Sequence, residues 1–306
     1  MNQPVCALEA RAALGEGAVW CDRDSLLWWV DINAPALHRF DPVFGTDRSW
    51  PMPEPIGCLA LSADRRIVVA LASGLAWFDP ETEVLQSFLA IEADQPGTRL
   101  NDGRCDRQGR LWVGSMTRGT PSPCGTLYRC TSTEATPMLT GIQVPNCTAF
   151  SPDGGTMYFT DTPTNRILVF DLDLAGGTLT NGRDFASLPP HRGLPDGATI
   201  DADGGLWVAH WDGWRISRFR PDGALDRSIR LPVPRPTCLA FGGDDLRTLF
   251  VTSARAGLDD ETLARAPLSG GIFTLRPGET GLPEPRFRPV PQVRVLPARS
   301  NRSRAD

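Results

Sequence analysis

The sequence repeats one short pattern about six times along its 306 residues, and this repeat constrains the fold more than any single motif. In each copy a turn rich in Gly and Asp separates two short apolar segments, as in residues 195–208, and such a pattern predicts a β-hairpin. The second segments recur roughly every 40 to 50 residues, a period typical of propellers and solenoids. They are residues 26–31, 67–71, 111–115, 157–161, 206–210 and 249–253. Because no long segment with helical periodicity interrupts the copies, the sequence predicts an all-β fold, a six-bladed β-propeller.

The two ends of the repeat region are expected to complete one blade together. Residues 5–13 alternate weakly between apolar and polar side chains and predict an edge strand, with residues 271–275 as its partner. Such pairing closes the ring and removes open sheet edges. We therefore expect a single domain over residues 1–285, with a short surface helix at 259–264. A Pro- and Arg-rich tail, 286–306, should follow it and be poorly ordered.

One residue of each copy is expected beside the central axis, because equivalent positions in a propeller begin the innermost strands and face one axis at one level. Counted back from the aromatic centre of the second segment, these residues are Glu16, Gly57, Asn101, Asn146, Asp196 and Cys238. Two carboxylates and two amides aimed at one small volume are costly unless something pairs with them. The pattern therefore predicts a central site for one divalent metal ion, and oxygen ligands permit Ca, Mg, Mn, Zn or Fe(II).

A second group of polar residues is predicted at the same level. Arg99 stands two residues before Asn101 and is expected on the same face of the strand. An Arg and an Asn at the mouth of a channel suit the hydroxyl groups or the carbonyl oxygen of a ligand. Read alone, Asn101-Asp102-Gly103 is a turn sequence, so the position in the repeat is what favours a functional role.

Composition and charge exclude several classes of function. The net charge of −5 disfavours a nucleic-acid partner. The sequence contains no Lys, which excludes Schiff-base chemistry, and its three His form no HExxH motif and offer little to a Ser-His-Asp triad. No apolar run is long enough to span a membrane and no signal-peptide pattern is visible, so we expect a cytoplasmic protein with no membrane partner. The eight scattered Cys are expected to be reduced, buried thiols.

Longer motifs resemble the SMP-30/gluconolactonase/regucalcin-like family of propellers. The resemblance spans residues 14–275 and rests on segments in the family's order, among them LGEGAVW, RLNDGRCDRQGRLWVGSM, VPNCTAFSPDG and LPDGATIDADGGLWVAHW. The segment FGGDDLRTLFVTSARAGLDDETLARAPLSGGIF is similar to bacterial sugar-acid lactonases. The resemblance implies one divalent metal ion held by Glu16, Asn146 and Asp196. It also implies that Arg99 and Asn101 hold the oxygen atoms of a lactone.

The sequence departs from this family at two positions near the implied site. Cys147 follows Asn146 where many relatives carry Gly. Thr117-Arg118-Gly119 stands where animal members place an acidic residue. The sugar preference of the relatives is therefore not carried over to this chain.

Together the repeat and the resemblance favour a metal-dependent lactonase, a carboxylic-ester hydrolase that opens a sugar lactone such as xylono-, arabinono- or gluconolactone. Asp196 is the candidate general base, because it can ligate a metal with one oxygen and reach a water with the other. The main alternative is a calcium-binding or regulatory propeller without catalysis. A propeller that only serves as a scaffold for protein partners is disfavoured, because it has no need of four polar residues in the channel. Phosphotriesterase-like and strictosidine-synthase-like activities are further alternatives. The lactone, the metal and the oligomeric state stay open, with a monomer favoured.

Overall fold

The computed structural model of the chain describes residues 3–119 and 122–290. Within these residues the chain forms six four-stranded sheets, and each sheet is one blade of a β-propeller. Neighbouring strands within a blade run antiparallel, and consecutive blades follow one another around the ring. The predicted all-β, six-bladed architecture is therefore confirmed.

Every blade is built from consecutive strands, apart from the one that contains the first strand, β1 (Val5–Leu8). Blade 1 contains β2 (Gly15–Cys21), β3 (Leu26–Asp31), β4 (Ala36–Asp41) and β5 (Thr46–Pro51). Blade 2 contains β6 (Ile56–Leu61), β7 (Ile67–Leu71), β8 (Gly74–Phe78) and β9 (Leu85–Ala90). Blade 3 contains β10 (Thr98–Cys105), β11 (Leu111–Thr117), β12 (Gly125–Cys130) and β13 (Ala135–Ile142). Blade 4 contains β14 (Pro145–Phe150), β15 (Thr156–Asp161), β16 (Arg166–Leu172) and β17 (Leu179–Ser187). Blade 5 contains β18 (Leu194–Ile200), β19 (Leu206–Trp211), β20 (Arg215–Phe219) and β21 (Leu225–Arg230). Blade 6 contains β22 (Pro236–Gly242), β23 (Thr248–Ser253), β24 (Ile272–Leu275) and β1. The innermost strands are β2, β6, β10, β14, β18 and β22, and they surround a central channel.

In the part of the chain that the structure describes, helical structure is confined to short segments of the connecting loops. The helix α1 (Asp260–Arg265) begins after Asp259, whose carboxylate accepts a hydrogen bond from the Thr262 N–H at 2.8 Å, and it confirms the predicted surface helix. Two 3-10 turns occupy Thr162–Thr164 and Pro190–Arg192. None of the helical segments in the described ranges is long and apolar enough to cross a bilayer.

Both ends of the propeller meet in blade 6. Strand β1 pairs antiparallel with β24, with Val5 opposite Thr274 and Cys6 opposite Phe273. The pairing confirms the predicted edge strand and its partner. It closes the ring without leaving β24 as an open edge.

The turn Asp and the central Trp of a repeat belong to one hydrogen-bonded unit. In blade 5 the Asp201 carboxylate accepts from the Gly205 N–H and from the Trp207 indole N–H, each at 2.8 Å. In blade 3 Asp106 accepts from the Trp112 indole N–H at 2.9 Å. The carboxylate holds the tight turn while the fully buried ring packs between sheets, which explains why this pattern recurs in the sequence.

Each innermost strand carries a shift of register just after the residue at the mouth of the channel. In blade 1 the shift lies between Glu16 and Val19, and in blade 4 between Asn146 and Ala149. A bulge of this kind bends the strand and re-aims its side chains. We call the end of the channel where these bulges turn side chains towards the axis the mouth of the channel.

The pairing in blade 6 corrects one predicted position. Pro236 pairs with Ser253 just as Pro145 pairs with Asp161, so the residue equivalent to Asn146 is Thr237 rather than Cys238. The sixth hairpin is longer between its paired strands, and counting back from the aromatic residue therefore stopped one position late.

The described chain stays packed beyond the predicted domain boundary at residue 285. Phe287 is fully buried, its N–H donates to the Leu61 carbonyl at 2.7 Å, and its ring contacts those of Trp77 and Phe88. These contacts anchor the start of the Pro- and Arg-rich segment to blade 2. Most of the predicted tail, residues 291–306, lies outside the described residues.

Candidate active site

Four of the predicted site residues come from four different innermost strands and meet at the mouth of the channel. Glu16 lies on β2, Asn101 on β10, Asn146 on β14 and Asp196 on β18, and all four side chains are buried. The half-buried Arg99 joins them through its Nη1 atom, which donates to Asn101 Oδ1 at 2.8 Å. The structure therefore brings the five predicted residues together, as the repeat required.

The two amides are oriented by hydrogen bonds. Asn101 Nδ2 donates to the Pro145 carbonyl at 3.0 Å and to Asn146 Oδ1 at 3.2 Å. Asn146 Nδ2 donates to Thr162 Oγ1 at 2.8 Å. Asn146 Oδ1 therefore keeps one lone pair for a ligand, and Asn101 keeps one on Oδ1 beside Arg99.

The loops that lead into two of these strands are held by aspartates at the ends of the neighbouring strands. Asp31 accepts from the N–H groups of Ala13 at 2.7 Å and Leu14 at 3.0 Å, just before Glu16. In blade 4 Asp161 accepts from the Val144 N–H at 2.8 Å, just before Asn146. These carboxylates fix the backbone from which the site residues project.

The carboxylates of the site repel one another. Burial first, and then the Asp102 carboxylate, raises the pKa of Glu16 from 4.5 to about 8. Burial, then Glu16 and then Asp102, raises the pKa of Asp196 well above its ordinary value. Among the described residues neither Glu16 nor Asp196 has an ion-pair partner. Within residues 3–119 and 122–290, no cationic side chain therefore pairs directly with either carboxylate.

Asp102 is a member of the site that the sequence analysis took for a turn residue. The bulge between Leu100 and Gly103 carries Asp102 towards the neighbouring blade, where its Oδ2 atom accepts from the Thr148 N–H at 2.8 Å. Asp102 as a whole is half-buried, and the burial of its carboxylate raises the pKa of this group. The recurrence of this bulge in every innermost strand is the signal that would have placed its carboxylate near the axis.

Two arginines stand at the outer edge of the mouth. Burial first, and then the Arg118 guanidinium, lowers the pKa of Arg99 to about 10, so Arg99 stays charged at neutral pH. Arg118 follows the last residue of β11, and its N–H donates to the Gly97 carbonyl at 2.7 Å. The departure at Arg118 thus lies beside a predicted substrate-binding residue.

Cys147, the other departure, occupies a strained backbone position. Its φ of 54° falls in the left-handed region, which favours Gly, the residue that the family resemblance implies there. The Cys147 thiol donates to the Asp196 carbonyl oxygen at 2.9 Å, and burial raises the pKa of this thiol well above 9.0. The side chain therefore ties the strand of Asn146 to the strand of Asp196.

The opposite end of the channel is closed by Arg104. Its guanidinium donates to Thr199 Oγ1 at 3.1 Å and to the carbonyl oxygens of Ala18 and Leu239 at 3.5 and 3.4 Å. It also forms an ion pair with Glu284 at 3.5 Å. The site is therefore open at the mouth and closed behind by a buried ion pair.

The donor chemistry of the site fits one divalent cation. No group of three or more His, Cys, Asp or Glu in residues 3–119 and 122–290 is arranged to share a metal ion, so a metal site here needs the Asn146 amide. Glu16 and Asp196 supply two negative charges and Asn146 supplies a neutral oxygen, which are hard ligands. The two carboxylates of Glu16 and Asp196 would balance the charge of a 2+ ion.

The chain matches known proteins over nearly its whole length. Residues 14–255 match the model of the family described as SMP-30/Gluconolactonase/LRE-like region. L-arabinolactonase of Azospirillum brasilense is 39% identical and covers 95% of this chain and 97% of its own length. The 6-deoxy-6-sulfogluconolactonase of Pseudomonas putida is 38% identical, covering 94% of this chain and 99% of its own. The crystal structure of a calcium-binding protein, regucalcin, from Agrobacterium tumefaciens superposes with a TM-score of 0.89 at 34% identity, covering 92% of this chain and 96% of its own.

With these relatives, the fold and the buried site define an enzyme of the carboxylic-ester hydrolase class. The chain belongs to the SMP-30/gluconolactonase/LRE-like family.

Proposed function

We propose that this chain is a metal-dependent sugar lactonase that opens an aldonolactone, such as xylono-, arabinono- or gluconolactone, to the sugar acid. The observation that carries the proposal is the meeting of Glu16, Asn146 and Asp196 from three blades, with no cation from the described residues to balance the two carboxylates. These three residues would hold the divalent ion. The names of its relatives support lactone opening as the reaction.

A divalent ion at this position supplies Lewis-acid chemistry to an ester carbonyl and to water. Asp196 removes a proton from the attacking water, because its carboxylate could hold the ion with one oxygen and reach the water with the other. The water oxygen bonds to the carbonyl carbon, the ring C–O bond breaks, and the proton passes to the departing hydroxyl group. The newly formed sugar acid then ionises and releases one proton to solution.

Arg99 and Asn101 orient the lactone in this proposal. Arg99 uses Nη1 within the protein, which leaves Nε and Nη2 to donate to lactone oxygens. Both N–H groups of Asn101 are engaged by Pro145 and Asn146, so its remaining capacity is to accept from a hydroxyl group. The pair therefore suits a hydroxylated ring better than a bare ester.

The second candidate function is calcium binding without catalysis. It is favoured by the similarity to the structure of regucalcin, a calcium-binding protein. This function requires only the metal site. It does not require Arg99 to be placed beside that site.

The deciding experiment follows proton release with a pH indicator. Pentono- and hexono-lactones are offered to metal-stripped protein to which Ca, Mg, Mn, Zn or Fe(II) is added back. Hydrolysis restored by a metal supports the lactonase, and metal binding without opening of any lactone supports the second candidate. Asp196→Ala should lower turnover by about 100-fold or more, whereas Asp203→Ala, which removes an exposed carboxylate from a turn of the same blade, should not.

A further inference from the structure

Two positive charges lie side by side at the mouth of the channel. Arg99 on β10 pairs with Met116 on β11, and the next pair is Thr98 with Thr117. Arg118 follows and is held by its hydrogen bond to Gly97, so its side chain leaves from the same face as that of Met116. Arg99 and Arg118 are therefore diagonal neighbours on one face, a separation that long side chains bridge.

Neither guanidinium has a carboxylate partner among the described residues. Arg104 pairs with Glu284 and Arg235 with Asp212, whereas no ion pair involves Arg99 or Arg118. Glu16 acts on Arg99 only as a more distant charge, and Arg118 opposes it. Two adjacent guanidinium groups with free N–H donors are the arrangement that binds an oxyanion, because their planar forks match its oxygens.

We infer that the mouth takes a lactone that carries an anionic group, a carboxylate, sulfonate or phosphate, bound by Arg99 and Arg118. The inference rests on the proposed lactonase activity and adds the chemical class of the substrate. The anion would lie at the end of the sugar away from the ester, because Arg118 is exposed at the outer edge of the mouth whereas Glu16 and Asp196 are buried beside the axis.

The test compares matched lactones that differ in one charged group. Gluconolactone is set against its 6-phospho and 6-sulfo forms and against glucarolactone, and kcat/KM is measured for the wild-type protein and for Arg118→Gln. We expect at least one anionic lactone to exceed gluconolactone, and we expect Arg118→Gln to lower that ratio by about tenfold or more. Arg265→Gln, an exposed arginine on α1, should leave the ratio unchanged.

The outcomes separate this inference from the function on which it rests. If no lactone is opened with any metal, the proposed function itself is wrong. If kcat/KM for gluconolactone equals or exceeds that for every anionic form, only the anionic site is overturned. The same holds if Arg118→Gln changes kcat/KM by the same factor for all the lactones. The preferred anionic form identifies which oxyanion the mouth accepts.

A separate observation concerns how the metal-site residues are held. The carbonyl group just before each of Glu16, Asn146 and Asp196 accepts a hydrogen bond from a side chain of the preceding blade. The three pairs are Thr237 Oγ1 to Gly15 O, Asn101 Nδ2 to Pro145 O at 3.0 Å, and Thr162 Oγ1 to Pro195 O at 2.8 Å. Blades 6, 3 and 4 thus fix the starts of β2, β14 and β18, the three strands that carry the metal-site residues.

Thr162 makes one of these connections and also binds the side-chain amide of Asn146. A hydroxyl group has one proton, and the Thr162 proton goes to Pro195 O. Its oxygen must therefore accept from Asn146 Nδ2, at 2.8 Å, which fixes the amide with Oδ1 turned away from Thr162. One buried hydroxyl sets both the orientation of Asn146 and the position of the strand that carries Asp196.

From this geometry we propose that Thr162 is a positioning residue for the metal ion. Calorimetric titration of metal-stripped protein with Ca or Mn measures the affinity directly. Thr162→Val and Thr162→Ala should weaken binding about 10- to 100-fold, while Thr162→Ser, which keeps the hydroxyl group, should stay near the wild type. Thr164→Val, in the same 3-10 turn but exposed, is the control.

Two results would overturn the role of Thr162. One is affinity within twofold of the wild type in both variants that lack the hydroxyl group. The other is an equal loss in Thr162→Ser, which would mean that packing rather than the hydrogen bonds matters. The melting temperature without metal identifies a variant that has failed to fold, and the remaining hydroxyl-free variant then carries the test.

Discussion

Arg104 Nη1 lies 3.5 Å from Glu284 Oε2, where the segment that follows blade 6 crosses the closed end of the channel. Both side chains are largely buried, with 10% and 14% of their areas exposed. Because Arg104 also binds atoms of blades 1, 5 and 6, this one guanidinium joins three blades to the segment behind them.

Removing the charge of Glu284 should destabilise the propeller. Glu284→Gln leaves a buried guanidinium without its carboxylate, and we expect a loss of about 2 kcal/mol in the free energy of unfolding. Urea unfolding measures it, with Glu134→Gln, on the surface, as the control. Equal stability of the two variants would show that the carbonyl groups around Arg104 suffice.

Phe287 should contribute as a core residue although it lies beyond the predicted domain boundary. Phe287→Ala removes a fully buried ring that packs against Trp77 and Phe88, and we expect a loss of about 3 to 5 kcal/mol. Phe44→Ala removes a ring that is 78% exposed and should change stability little. A small effect at Phe287 in denaturant unfolding would mean that the segment is not part of the cooperative unit.

The metal-free protein should lose stability as the pH rises from about 4.5 towards 8. The pKa of Glu16 is about 8 in the folded protein, against 4.5 as its ordinary value. Below pH 4.5 the folded and unfolded chains both hold the proton, and between pH 4.5 and 8 only the folded chain holds it. This difference lowers the free energy of unfolding by on the order of 4 kcal/mol at pH 8. Urea unfolding at a series of pH values should show this slope, and Glu16→Gln should reduce it.

A divalent ion should flatten the same pH profile, because a cation lowers the pKa values of Glu16 and Asp196. The expected accompaniment is proton release on metal binding, which calorimetry in buffers of different ionisation enthalpy detects. A pH profile that is unchanged by saturating metal would contradict the assignment of these carboxylates to the ion.

Asp102 should strengthen metal binding without being a required ligand. Asp102→Asn keeps an acceptor for the Thr148 N–H but removes a negative charge that raises the pKa values of Glu16 and Asp196. We expect metal affinity to fall about tenfold, by calorimetric titration. Loss of all binding would instead make Asp102 a ligand, and unchanged affinity would remove it from the site.

Much of the fold was predictable because the repeat carries both turn and strand signals. The Asp201 turn with Trp207 is a local unit, so each hairpin is marked in its own sequence. The position of Glu16, Asn146 and Asp196 followed from equivalence between blades, which needs no knowledge of packing.

The parts that were missed depend on register and on long-range packing. Thr237 was missed because the sixth hairpin is longer, and Asp102 because a turn-like Asn-Asp-Gly forms a bulge. Phe287 was assigned to a tail because composition describes Pro and Arg but not the groove that buries one ring. Such features become visible only when strands are paired.

The pairing of β1 with β24 also orders the synthesis of the protein. The ribosome makes Val5–Leu8 before the other strands of the propeller, yet their partner Ile272–Leu275 emerges only after the other five blades. A nascent chain that stops before Ile272 leaves both β1 and β23 with unpaired edges. The ring therefore cannot close until Ile272–Leu275 has been made, and until then the unfinished chain exposes strand edges that favour aggregation.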